Sequence, residues 1–135
     1  MGRAIPRRDG RAKVTGEARY IDDLTLPGML HGTTVRSPSP RGRIRRVVYG
    51  DGIPWDEFTI VTAADIPGRN IVALIIDDQP YLAETEINHA EEPVMLLAHP
   101  DKYLLEEAPR QITIEIDPLE PVLTIDDSLA AHPVI

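Results

Sequence analysis

The sequence predicts an α+β domain of mixed, mostly antiparallel strands with two or three short helices. Three observations lead there. Thirteen prolines are spread along 135 residues, too evenly for long helices and well suited to short strands joined by turns. The longest apolar run, "IVALII" at 71–76, has the length of a strand. Helical spacing in "DKYLLEEA" (101–108) sits next to the period-two alternation of "QITIEID" (111–117), so both element types occur in one chain. That length fits one domain, burying roughly 65–70% of its unfolded surface.

Residues 1–28 read as extended and irregular, punctuated by Pro6, Gly10, Gly16 and "LPG" at 26–28. A strand is expected at 29–37, a turn at "SPSPRG" (37–42), and a second strand at 43–50 that could pair with the first as a hairpin. Gly52 and Pro54 allow at most one helical turn at 51–57. "FTIVT" (58–62) reads as a short strand and 63–70 as a turn or single helical turn. The continuously apolar "IVALIID" (71–77) predicts a strand covered on both faces. Residues 77–93 are polar connection with a little edge structure around Ile87, and "VMLLA" (94–98) predicts another buried strand. Asp101 is placed to cap a helix over 101–108, with Leu104, Leu105 and Ala108 on one face and Pro109 as its stop. Ile112, Ile114 and Ile116 share one face of the strand that follows, and "IDDSLAA" (125–131) predicts a last short helix.

Composition narrows the function classes. The absence of cysteine excludes disulfides, thiolate zinc sites, cysteine-ligated iron–sulfur clusters and a cysteine nucleophile within this sequence. Arg7-Arg8 is followed by no apolar segment of the kind a twin-arginine signal needs, and no run approaches the roughly 20 apolar residues of a membrane span, so a cytoplasmic protein without membrane contact is expected. The net charge of −8 hides a split: residues 1–46 hold eleven basic and four acidic side chains, residues 47–135 three and eighteen. Such a split can mark an anion-binding arm, or two halves that attract each other. Tyr20 is the one aromatic of the basic third, which lacks the stacking platform of single-strand binders, so no nucleic-acid partner is expected.

No catalytic apparatus emerges. "GRAKVTG" (10–16) has two glycines and a lysine but not the spacing of a phosphate loop, nor a strand before it and a helix after it. Asp22-Asp23 is followed by "LTLPG", which supplies no further ligands for calcium; bonding to nearby backbone amides or arginines is the expected role. The pairs Asp77-Asp78, Glu91-Glu92, Glu106-Glu107 and Asp126-Asp127 are adjacent, so their members diverge on a strand or helix rather than converge on a substrate. His31, His89, His99 and His132 share no metal-ligand spacing, and Ser37, Ser39 and Ser128 lie in no nucleophile elbow. Catalytic, cofactor-binding and metal-binding residues are therefore all expected to be none.

Read whole, residues 7–38, "RRDGRAKVTGEARYIDDLTLPGMLHGTTVRSP", closely resemble the start of the molybdenum-binding large subunit of the xanthine dehydrogenase and aldehyde oxidase family. Asp9, Gly10, Lys13 to Gly16, Ala18, Tyr20, Asp23, Pro27 to Leu30 and Arg36 to Pro38 occupy that family's pattern. "VTAADIPGRN" (61–70) and "ITIEIDPLEPVLTIDDSLA" (112–130) are similar to later family segments, in the same order. The resemblance implies an α/β-hammerhead domain, expected at residues 29–135; the residues before it, 1–28, read as an extended strap. In that strap Gly10 and Gly16 would permit bends, Lys13 and Arg19 would pair with carboxylates, and Val14, Ala18 and Tyr20 would dock on protein.

It also implies the N-terminal structural domain of a molybdopterin-dependent hydroxylase, inactive by itself. Its partners would be the remainder of the molybdenum subunit and the iron–sulfur and FAD domains or subunits, with no cofactor held by this segment. A free-standing binding or assembly module that reuses the fold is the alternative. One departure stands out: Ala90-Glu91-Glu92-Pro93 replaces the family's Val-Gly-Gln-Pro, losing a residue with easy access to positive φ and exchanging an amide for a carboxylate.

Overall fold

The computed structural model describes residue 2 and residues 5–73 and 75–131. Among the described residues three short α-helices, α1 (Gly10–Val14), α2 (Lys102–Glu107) and α3 (Ile125–Ala130), accompany six strands: β1 (His31–Arg36), β2 (Gly42–Tyr49), β3 (Thr59–Val61), β4 (Glu86–Ile87), β5 (Pro93–His99) and β6 (Ile112–Pro118). They form two antiparallel three-stranded sheets, ordered β1-β5-β3 and β4-β2-β6. The α+β architecture expected from the sequence is the one observed.

The core lies where the inner faces of the sheets meet α2. Val35, Met95 and Leu97 come from the first sheet, Ile87 from β4, and Leu105 and Ala108 from the helical segment. Ile44, Val47, Ile112, Ile114 and Ile116 of the second sheet pack against them. The alternation of β6 thus puts its three isoleucines inward, as its period required. At one end Tyr49, Trp55, Phe58 and His99 form an aromatic file with centroid separations of 5.0, 5.6 and 4.4 Å. Trp55 Nε1 donates to the Gly50 carbonyl at 2.7 Å, satisfying the indole while its ring is half-buried.

β2 shows how a charged sequence keeps an inward face. In "GRIRRVVY" strict alternation from Gly42 and Ile44 would turn Arg46 into the core. The register instead shifts between Ile44 and Arg46, so Arg45 is an extra residue: both arginines stay exposed and Val47 returns inward. Gly42 opens the strand because a Cβ there would collide with Ile116 Cγ2 and lie 2.8 Å from the Asp117 carbonyl oxygen.

The structure corrects several expectations. Residues 1–28 are not extended throughout. Asp9 pairs with Arg7 and, at 3.1 Å, with Lys13 four residues on, holding α1, and Gly16 leaves that helix at φ 76°. β1 and β2 do not form a hairpin; they lie in different sheets, because the Ser37 amide and carbonyl bond to Glu92 and Glu91 and turn the chain away. Residues 71–77 are not a buried strand: among the described ones, Ile75 is 97% exposed and Ile76 is exposed too. Asn70 explains this, since its side chain donates to the Leu82 carbonyl at 2.7 Å and accepts the Tyr81 and Leu82 amides at 3.1 Å, closing residues 70–82 into a loop. The α-helix ends before Pro109 as expected, at Glu107, but helical backbone continues beyond it. Pro109 enters the first turn of a 3₁₀ helix, Ala108–Gln111, where its missing N–H costs nothing. The helix at 101–108 is otherwise as expected, with Asp101 Oδ1 accepting the Tyr103 amide at 2.8 Å.

Candidate functional site

The residues weighed for chemistry are dispersed. His31 and His99 stand opposite each other in the β1–β5 ladder. His99 is buried, its Nδ1 accepts the Asp101 amide at 2.9 Å, and its Nε2 lies 3.8 Å from Glu57. His89 sits on an exposed loop, and His132 lies outside the described residues. No group of three His, Cys, Asp or Glu side chains converges among the described residues. Ser37 is buried, but its hydroxyl donates to the Ser39 carbonyl at 2.9 Å and accepts the Ser39 amide at 3.1 Å, so it serves a turn. Ser39 Oγ donates to the Arg41 carbonyl, and Ser128 is exposed on α3.

Several members of the acidic pairs are held by local partners. Asp23 accepts the Tyr20 amide at 2.9 Å, Asp77 pairs with Arg69 at 2.6 Å, and Glu107 pairs with Arg110. Asp126 and Asp127 occupy the first turn of α3, where Thr124 Oγ1 accepts the Asp127 amide. Among the paired residues, charge attraction between the two halves of the chain is visible as a ladder on the outer face of the second sheet: Arg43 to Glu86 at 3.0 Å, Arg46 to Glu115 at 2.7 Å, and Arg45 to Asp117. The Arg46 guanidinium holds the Glu115 carboxyl below its ordinary range.

What the structure leaves outside is a set of apolar side chains. Val14, Tyr20, Ile21 and Leu26 of the N-terminal segment are exposed, as are Ile75, Leu96, Tyr103, Ile125 and Leu129. Val14 and Tyr20, expected to dock on protein, find no cover within the described residues; Val14 is 86% exposed. A cleft of about 640 Å³ runs between the N-terminal segment and α2. Ile21, Leu24, Leu30, Leu105 and Pro109 line it, and Asp22, Lys102, Glu106 and Arg110 lie among its charged residues. That balanced charge, with no three His, Cys, Asp or Glu side chains converging among the described residues, does not fit the phosphate and metal-ligand demands of a molybdopterin, so no chemical step is assigned through such a group here.

The departure at 90–93 becomes a clasp. Glu91 takes φ 61°, the one positive φ among described non-glycine residues, and the Arg36 guanidinium donates to its carbonyl at 2.9 Å. The Ser37 amide donates to the Glu92 carbonyl at 2.9 Å, and the Glu91 amide donates to the Ser37 carbonyl at 3.1 Å. Glu92 itself is 3% exposed, and its Oε2 accepts the Asn88 amide at 2.5 Å. Sequence reasoning singled out both the Arg-Ser-Pro run and the missing glycine, but not that they touch. It missed Asn70 as a loop tie; only its place in the "IPGRN" segment singled it out.

Comparison with known proteins fits this picture. Residues 15–120 match the family model described as aldehyde oxidase and xanthine dehydrogenase, a/b hammerhead domain. The chain is 36% identical over 115 residues to a probable xanthine dehydrogenase subunit of Bacillus subtilis (strain 168), covering 84% of this chain and 15% of that protein. It is 32% identical over 123 residues to the carbon monoxide dehydrogenase large chain of Afipia carboxidovorans, covering 87% of this chain and again 15% of that protein. Among solved structures, the quinoline 2-oxidoreductase of Pseudomonas putida 86 superposes with a TM-score of 0.79 at 26% identity, over 96% of this chain and 18% of that one. The reconstituted CO dehydrogenase of Oligotropha carboxidovorans gives 0.77 at 28% identity, over 92% and 16%. The chain therefore spans a small fraction of the length of these relatives. With the family model covering most of its length and both sheets in place, this chain belongs to the aldehyde oxidase and xanthine dehydrogenase α/β-hammerhead family.

Proposed function

We propose that the chain is the N-terminal structural and interface domain of a molybdopterin-dependent hydroxylase, with no turnover of its own. In this account residues 1–28 are a strap and 29–135 the hammerhead. The observation that carries it is a match of residues 15–120 to the hammerhead domain, with the chain covering only 15% of the Bacillus subtilis relative and 18% of the quinoline 2-oxidoreductase chain, coupled with apolar side chains left uncovered on the N-terminal segment. Ordering such a segment costs roughly 1–2 kcal/mol per residue in backbone entropy, which exposed contacts cannot offset. A covering partner supplies that free energy. The partner proposed is the rest of the molybdenum subunit, with iron–sulfur and FAD domains or subunits completing a cytoplasmic enzyme. Molybdopterin is held by that other polypeptide; a relative from Eubacterium barkeri is named a large molybdopterin subunit. When bound there the cofactor supplies the redox and oxygen-transfer chemistry. Residues of this chain supply shape, charge pairing and cover.

The test has two arms. Reading the gene beyond residue 135 should show several hundred further codons in frame; a stop codon there would refute the proposal. The purified chain should oxidise neither aldehydes nor N-heterocycles with a dye acceptor, whereas the assembled enzyme should turn over one of these classes. Turnover by the chain alone would equally refute it.

A further inference from the structure

We propose that the outer face of the β1-β5-β3 sheet seats an uncharged, apolar surface of the remaining molybdopterin-subunit polypeptide; this rests on the function proposed for the chain. The register fixes which side chains make that face. Thr34, Leu96 and Val61 stand in one row across the three strands, and Gly32, Ala98 and Thr59 in the next. The opposite face carries Val35, Met95 and Leu97 into the core. The six outward residues line a shallow trough of about 270 Å³, and none of them is charged. In a chain with 27% charged residues, that contrasts with the second sheet, whose outer face carries the Arg43, Arg45 and Arg46 ladder and so satisfies itself in water.

Leu96 decides between a solvated and a covered face. It projects from the middle of the central strand and is 40% exposed, and the small Gly32 and Ala98 in the next row let a partner backbone approach closely. Burying a charged group against this face would leave it without a counter-charge, at a marked cost in affinity, so the occupant is neutral and apolar. The source of such a surface follows from length: the Bacillus subtilis relative and the quinoline 2-oxidoreductase chain each have more than four-fifths of their length outside the part matched here.

Hydroxyl-radical labelling reads the side chain directly. Leu96 should be labelled in the isolated chain, and at least fivefold less in the full molybdopterin subunit. Val48, on the charged face and 36% exposed, serves as the reference. Leu96→Glu in the full subunit should release the domain to protease at least tenfold faster, while Val48→Glu should not. Should Leu96→Glu not fold, Thr34→Lys on the edge strand tests the same face. Equal labelling of Leu96 in chain and subunit would overturn this inference and leave the domain assignment standing. Protection that appears in the isolated chain at high concentration and vanishes on dilution would overturn it in favour of a second copy. Absence of any longer subunit would instead remove the proposed function on which it depends.

Discussion

Replacing Glu91 by glycine should stabilise the protein, and the size of the gain follows from the backbone. Glu91 holds φ 61° because the clasp fixes it from both sides: the Arg36 guanidinium and the Ser37 carbonyl bind its own carbonyl and amide. Left-handed backbone costs an ordinary L-residue about 1–2 kcal/mol, through the clash of its Cβ with the carbonyl that follows. Glycine removes that clash but loses about 0.5–1 kcal/mol more conformational entropy on folding. The net expectation is a gain of about 0.5–1 kcal/mol, or a Tm raised by about 2–4 °C for a domain of this size. No bond of the clasp uses the exposed Glu91 carboxylate, so the clasp survives the change. Glu91→Ala is the control, removing the charge while keeping the Cβ; it should leave Tm within about 1 °C. Thermal and urea unfolding of the three proteins decide the matter. If Glu91→Gly is neutral or destabilising, or if alanine matches glycine, the strain argument is wrong.

Three other outcomes are expected. Deleting Arg45 should be tolerated, with cooperative unfolding retained, since the shortened "GRIRVVY" alternates without a bulge and still turns Ile44 and the first valine inward; loss of the folded state would show that the bulge is required. Ile87→Ala should cost about 2–5 kcal/mol, read as a lowered urea midpoint, because Ile87 is fully buried between β4 and the core; a smaller loss would mean the site collapses. Stability should also fall in acid. Arg46 holds Glu115 below its ordinary 4.5, and the Thr62 amide and hydroxyl hold Asp65 below 3.8. Near these values the unfolded chain binds more protons than the native one, so this contribution is present above pH 4.5 and is lost as the pH drops below it. Arg46→Met should weaken that dependence, and an unchanged urea midpoint between about pH 6 and about pH 3 would contradict it.

Elements with a clear period were legible in the sequence. β6 announced itself through Ile112, Ile114 and Ile116, and α2 through Asp101 and its leucine face, because each signal is local. The break in β2 left a trace that went unread: two adjacent arginines between inward apolar residues demand an extra residue. Partition into two sheets left none. β1 and β2 look like a hairpin until Ser37 is seen bonded to residues more than fifty positions away, and that pairing has no local signature. "IVALIID" misled because an apolar run states its need for cover without stating what covers it. Here Asn70 closes a loop around it and leaves Ile75 outward. The segment around α1 carried a readable signal, Asp9 spaced four from Lys13 with Gly16 after, that its low apolar content concealed. As for the site, the sequence pointed to contact surface rather than chemistry, but only coordinates show that Arg36 and Ser37 hold the substituted loop.

Amide hydrogen exchange through residues 9–30, measured on the chain alone and again within the assembled molybdenum subunit, tests the interface role most directly. Fast exchange alone and at least hundredfold slower exchange in the assembly is the outcome expected of a segment ordered by its partner. Slow exchange in the monomeric chain, unchanged on assembly, would contradict it.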